Sequence, residues 1–491
     1  MDFTEIYKQT SALVAFSPGT HFILTAVQDR LVVRRADSFQ VARTWQVLPP
    51  PSDTSGQRAA GTASTSTAPA RITHAGWSCD SEYVFAACAK KGFVNVFKMR
   101  DESWHARIDA GLEGLVKAEW APDGRSILCF SDMGLRVTIW SLLSGTATHI
   151  QFPLHPDRGY TFRKDGRYFI LAERHKSKDT LGIYDAAEGY RLVRHFPLPT
   201  ATLASLSLSP TGNHLAVWEG VLEYKLFVLS LSGSVLGSFI PETDRGFGIR
   251  SVAWHPSGAY LAVSGWDDRI YILENATWGA VAVLELQSRV PHGVTIWREP
   301  ANWLETTQGR GFLSYERLQA PSTIPITRPD LSKPFPKSGA VQLAFNTSGS
   351  LLLARFESTP TMIHLFGFPA PGSRDLADLR VTVPTLKSVL MHTQPVVSAQ
   401  WNPVRKGSLA ACCSRETMYM WSDEWVGEGD SNESEEVAEC IGVPAHQFET
   451  REIRWAPDGK GLILLDKETF CCAFEVEDTD VDEDGQDLMQ T

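Results

Sequence analysis

Thirteen histidines, 57 acidic residues and eight cysteines give this 491-residue chain ample material for acid–base, metal or thiol chemistry. Such chemistry needs its groups at set spacings, and those spacings are missing. There is no Gly-x-Ser-x-Gly elbow, no His-Glu-x-x-His pair and no phosphate-binding loop of the Gly-x-x-x-x-Gly-Lys kind. "GRG" at Gly309 and "GEG" at Gly427 stand alone. His255 lies beside a Pro-Ser-Gly turn, where a local hydrogen bond is the expected role. No Cys-x-x-Cys occurs; instead there are two adjacent pairs, Cys412–Cys413 and Cys471–Cys472. Neighbours in a strand point to opposite faces, so each pair should split its thiols rather than bridge or bind metal. The residues therefore predict no catalytic group, no metal, no cofactor, and reduced, buried cysteines of an intracellular protein.

Binding chemistry is more promising. The stretch "GVTIWREPANWLETTQGRGFLSYERL", Gly293 to Leu318, holds Trp297, Arg298, Trp303, Phe312 and Tyr315. Aromatic and Arg side chains are the usual anchors of protein interfaces. Two roles stay open for them: presentation to a partner, or packing on the outer strand of the preceding structural unit. The basic stretches "VVRRAD" at Val32 and "ERHKSKD" at Glu173 lack interleaved aromatics for base stacking, so they read as solvated charge and no nucleic-acid partner is expected. The formal charge of −11 comes from two runs, 423–439 and 475–487, each rich in Asp and Glu and free of Lys and Arg. Elsewhere bases slightly outnumber acids. Ser431 and Ser434 lie among those acids, a context that acid-directed kinases favour. The N-terminus has neither the basic nor the apolar region of a signal peptide, and no apolar run approaches the roughly 18 residues of a membrane span.

Such residues must be positioned by something, and the chain repeats itself. Nine times an aromatic or apolar residue ends a short strand and a Pro/Asp/Ser/Gly turn follows: at Phe16, Trp77, Trp120, Phe162, Leu208, Trp254, Phe345, Trp401 and Trp455. "AWHPSGAYLAVSGWDDRIYIL", Ala253 to Leu273, is the fullest copy. An apolar strand, a polar turn and a second apolar strand come next, as in "RVTIWSL", "RIYILEN" and "FCCAFEV". The base period of about 42 to 46 residues is that of a WD40-type blade. A four-stranded sheet of this kind cannot bury both faces alone, so an all-β propeller of about nine blades is predicted, in one ring or in a smaller ring with units set aside. The last copy has only three strands, and "DFTEIYKQ" precedes the first as a lone strand. The N-terminal strand should therefore complete the last blade. The propeller is expected over 1–476, interrupted by a disordered loop at 48–70, an inter-blade insertion at 287–338 and an acidic loop at 423–440. A disordered acidic tail at 477–491 follows. The Trp-Asp pair Trp266–Asp267 sits before a third strand rather than at its end, so packing rather than the usual Asp-His-Ser/Thr-Trp network should hold most blades.

On these motifs the chain resembles the WD repeat-containing protein 8 family of centrosomal and spindle-pole proteins. The likeness runs over nearly the whole length. It rests on "MDFTEIYKQTSALVAFSPG", "VQDRLVVRRAD", "PSGAYLAVSGWDDRIYILENATW", "VTIWREP", "VQLAFNTSG" and "DKETFCCAFEVE". The resemblance implies a non-enzymatic scaffold at the spindle pole body or centrosome. Its implied partners are a coiled-coil spindle-anchoring protein, a minus-end-directed kinesin and gamma-tubulin-containing complexes, holding microtubule minus ends. It carries over no residue-level partner site. A reading of a different class is a translation-initiation-type propeller that binds ribosomes or RNA.

Overall fold

In the computed structural model, residues 1–47, 71–242, 247–318, 321–330, 332, 338–369, 383–425, 435–445 and 447–475 are described. They form nine antiparallel blades in chain order, closed into one ring. Each repeat residue read from the sequence is the last residue of its blade's first strand. Those strands are Val14–Phe16, His74–Trp77, Lys117–Trp120, Tyr160–Phe162, Leu203–Leu208, Ser251–Trp254, Ala340–Phe345, Ser398–Trp401 and Glu452–Trp455. First strands of neighbouring blades lie against one another around the axis, and fourth strands form the rim.

The hairpin after each first strand shows why the motif looks as it does. The fourth residue past the motif position has positive φ in eight blades, and six of these are glycines, from Gly124 (62°) to Gly349 (79°). A residue without Cβ takes that conformation at no steric cost. The residue just after the motif position fastens the turn: Ser17, Ser78 and Ser209 accept the backbone N–H of Phe22, Tyr83 and His214.

The ring closes as expected. Asp2 and Phe3 pair with Phe474 and Ala473, and Tyr7 and Lys8 pair with Phe470 and Thr469, so the N-terminus supplies the rim of blade 9. Tyr7 sits between Phe39 of blade 1, on which it stacks, and Phe470 of blade 9, to which it is tilted, with ring centroids 5.6 Å apart in both pairs, and Arg34 lies over its ring. At the axis, Arg454 of blade 9 donates to the Val14 carbonyl of blade 1 at 2.8 Å.

Separate apolar clusters fill the gaps between blades. The cysteine pairs split as strand geometry requires: Cys412 and Cys413 enter different clusters, and so do Cys471 and Cys472. All eight thiols are free, and only Cys79 is exposed. Burial pushes Cys129, Cys412 and Cys471 up to about 12, which keeps them protonated and inert.

Packing is not the whole of the cohesion. The indole N–H of Trp77, Trp120, Trp254, Trp401 and Trp455 donates to the carbonyl of Ala15, Gly76, Ser207, Ala344 and Gln400 respectively, at 2.9–3.3 Å. In each case the acceptor is the residue just before the motif position of the preceding blade. The repeated Trp is thus an inter-blade latch, and blades with Phe or Leu there lack it.

Two segments differ from the sequence expectation. The insertion between blades 6 and 7 adds its strands to blades 7 and 8. Thr295–Arg298 runs parallel to the fourth strand of blade 7, Thr385–Met391, and Glu316–Leu318 pairs outside it. Phe312–Ser314 extends blade 8 beyond its fourth strand, Glu435–Gly442. The acidic segment 423–440 is strand at both ends, 423–425 and 435–440, because Ala438 and Cys440, two residues apart, turn one face of a rim strand inward. Residues 426–434, with Ser431 and Ser434, lie outside the described residues, as do the expected loop at 48–70 and tail at 477–491.

Candidate interaction surfaces

The insertion's aromatics are mostly wedge, not surface. Radial sheets diverge toward a rim, and large side chains are needed to fill the gap. Trp297, Trp303 and Tyr315 do this between blades 7 and 8, where they pack with Leu365, Leu390, Tyr419 and Trp421. The Trp303 side chain, 2 % exposed, donates its indole N–H to Glu299 Oε1 at 2.8 Å. Tyr419 Oη donates to the same oxygen at 2.8 Å, and the Thr393 N–H donates to Glu299 Oε2 at 2.6 Å. Burial opposes the charge on Glu299, but these donors outweigh it and hold the carboxyl below its ordinary range. Trp297 donates to Glu436 Oε2 at 3.2 Å, and Lys387 joins Glu436 and Asp423. Both acids belong to the acidic run, so part of that charge is consumed inside the fold.

Of the five residues singled out from sequence, three are therefore corrected: Trp297, Trp303 and Tyr315 are buried and cannot anchor a partner. The expectation that such packing would use blade 6 is corrected too, since the wedge sits on blades 7 and 8. Edge pairing explains both results. The rims of blades 7 and 8 offered unpaired backbone groups, and the inserted strands cover them. Arg298 and Phe312 remain at the surface. Arg298 is paired with Glu316, Nε to Oε2 at 3.0 Å, while Phe312 is 69 % exposed on the new edge of blade 8.

A better-formed surface lies elsewhere, on the face where first strands begin. There a groove of about 690 Å³ opens between blades 5 and 6. Leu203, Trp218, Val221, Leu222, Ile249 and Trp266 contribute its apolar lining. Leu222 is 85 % exposed, and Val221 is also exposed. Trp266, from the lone Trp-Asp pair, is held by Arg250, whose guanidinium lies 4.5 Å from the ring centre. Exposed Arg158 and Glu223 put opposite charges on the rim. A signal for this site was present in the sequence: the turn "EGVLEYK" carries Val-Leu where most blades, blade 3 with Met133 and Leu135 excepted, place polar residues. Loops of blade 3 on the same face of the ring expose Leu112, Met133 and Leu135.

Among the histidines, His255 is local and structural. Its Nδ1 accepts the Ser257 N–H, which leaves Nε2 to donate to the Gly349 carbonyl of blade 7 at 3.1 Å. Asn346 and Asn402, at the same repeat position, reach Lys406 and Gly459 in the next blade in the same way. Burial lowers the pKa of His255, in keeping with this neutral tautomer.

The model of the family described as "WD domain, G-beta repeat" matches residues 233–273. That span runs from the fourth strand of blade 5 to the third strand of blade 6, so the sequence repeat straddles two structural blades. The fold is a WD40-type β-propeller. The propeller is 29 % identical to the mouse WD repeat-containing protein WRAP73 over 96 % of both chains. It is 22 % identical to the uncharacterized WD repeat-containing protein C32H8.09 of Schizosaccharomyces pombe, covering 79 % of this chain and 77 % of that one. Among solved structures, Kluyveromyces lactis Hsv2 aligns with a TM-score of 0.40 and 10 % identity, over 77 % of this chain and 97 % of that one.

Proposed function

We propose that this propeller is a non-catalytic scaffold at the spindle pole body or centrosome. It binds a coiled-coil anchoring protein and, through that assembly, a minus-end-directed kinesin and gamma-tubulin-containing complexes, so that microtubule minus ends are tethered. The observation carrying this reading is the correspondence with a WD-repeat relative over 96 % of both chains, which extends the family resemblance of the motifs from end to end. The groove between blades 5 and 6 supports the choice of a helical partner. A coiled-coil helix presents an apolar seam flanked by charges of both signs, and the groove offers an apolar floor with Arg158 and Glu223 on its rim.

The test uses the fluorescently tagged full chain in dividing cells, with Leu222→Asp beside it. Foci at the spindle poles are expected for the parent. Leu222 is already exposed, so the variant should fold normally by circular dichroism. Losing one buried Leu from the complex costs about 2 kcal/mol, roughly thirtyfold in affinity, and should disperse the foci. A diffuse parent signal, or salt-sensitive co-sedimentation with ribosomal subunits, would refute the scaffold reading. Undiminished foci from the folded variant would remove the groove alone.

A further inference from the structure

We propose that blade 4 holds a transition-metal site made by Glu173, His175 and His195, suited to Zn²⁺. Glu173 and His175 are two residues apart on the second strand, Tyr168–His175, and so share a face. His195 comes from the fourth strand, Arg191–Pro197, where it pairs with Gly182 of the third strand, Lys178–Asp185. Two imidazoles and a carboxylate from two non-adjacent strands thus meet on one side of the sheet. One ligand atom from each lies within 4.8 Å of the other two.

The distances fit an ion. His175 Nε2 is 3.0 Å and His195 Nε2 is 3.3 Å from Glu173 Oε2. Zinc binds His nitrogen and carboxylate oxygen at about 2.0–2.1 Å, and a tetrahedron of that size has edges of about 3.3–3.4 Å. Two of the three edges between ligand atoms are thus already close to that length, and the third, between the two imidazoles, is no longer than 4.8 Å.

The surroundings are built for the carboxylate. Glu173 is 3 % exposed, although it stands at the end of a strand near the surface. Gly182 makes the room: a Cβ there would collide with Glu173 Oε1 and the Tyr184 ring. Tyr184 donates its hydroxyl to Glu173 Oε1, which leaves Oε2 for the two histidines. This is the outer-shell hydrogen bond that orients a carboxylate ligand. Both imidazoles are partly exposed, which leaves a side open for a water or a fourth ligand. Two nitrogens and one oxygen favour Zn²⁺ or a neighbouring transition ion over Mg²⁺ or Ca²⁺, which take oxygen shells. The neighbouring Arg174 faces the other way and is paired with buried Asp179 at 2.7 Å. The stretch "ERHKSKD" therefore divides its chemistry between the two faces of the sheet.

The full chain, freed of metal by a chelator and dialysed, should be titrated with ZnCl₂ by calorimetry and with Co²⁺ by visible absorption. The parent should bind one more equivalent of Zn²⁺ than His175→Ala/His195→Ala, and should show tetrahedral Co²⁺ bands that the double variant lacks. His195→Ala alone, on the exposed fourth strand, and Glu173→Gln should each weaken binding at least tenfold while their circular dichroism stays that of the parent. Equal stoichiometry and equal Co²⁺ spectra for the parent and these variants would overturn the site and leave the cluster an ion pair only.

Discussion

Replacing Trp303 by Ala separates wedge from anchor. Its side chain is almost fully buried between blades 7 and 8, so truncation should cost about 3–5 kcal/mol in lost contacts and residual cavity. It also removes one donor from Glu299, although Tyr419 and the Thr393 N–H keep holding the carboxylate. Each blade packs chiefly on its neighbours, so the loss should be local. A cost of about 4 kcal/mol corresponds to nearly a thousandfold faster opening. Hydrogen exchange followed by mass spectrometry should show this acceleration in 385–391 and 435–442, the rim strands that the wedge joins, with blades 2 to 5 unchanged. Phe312→Ala, at an exposed position of the same insertion, should alter stability by no more than about 0.5 kcal/mol. Unchanged exchange in Trp303→Ala, together with loss of partner capture, would refute the wedge and restore the side chain as an interface anchor.

Acid should weaken the fold well before its carboxylates protonate. Burial pushes His364 and His392 down to about 4 from an ordinary 6.5. Above about pH 6.5 neither state holds the extra proton and stability is full. Below it the unfolded chain takes up protons that the folded one refuses, so each histidine should remove about 3 kcal/mol by about pH 4. Urea midpoints that stay flat between pH 7 and 5 would contradict this. Trp401→Phe keeps a ring in place but deletes the latch to Ala344, and should lower stability by about 1 kcal/mol in denaturant melts. Phe345→Leu, at the same repeat position of blade 7, removes no latch and serves as the comparison.

Much of the propeller could be read from residue order because its information is local. A turn that needs positive φ, an apolar strand on either side and a recurring Trp are set by neighbours a few positions apart, so Phe16 through Trp455 each mark the end of a first strand. Closure was legible for a related reason: a three-stranded last unit and a lone first strand complement one another. The split of Cys412 from Cys413 followed from strand alternation alone.

What sequence could not settle depends on which edges meet in space. Trp297 pairs with Leu390 and Phe312 with Ile441, contacts across roughly a hundred residues that no periodicity encodes. An aromatic-rich insertion reads alike whether it fills a wedge or waits for a partner, since both uses want large, stiff apolar rings. His195 lies twenty positions from His175, with no motif spacing to link them, and only the fold of blade 4 brings them to Glu173. The chain's own order thus determined the nine repeat units, and the fold decided that all nine join one ring. Tertiary structure decided which side chains are spent between blades and which are left free to bind, because burial is a property of the assembled ring and not of any residue type.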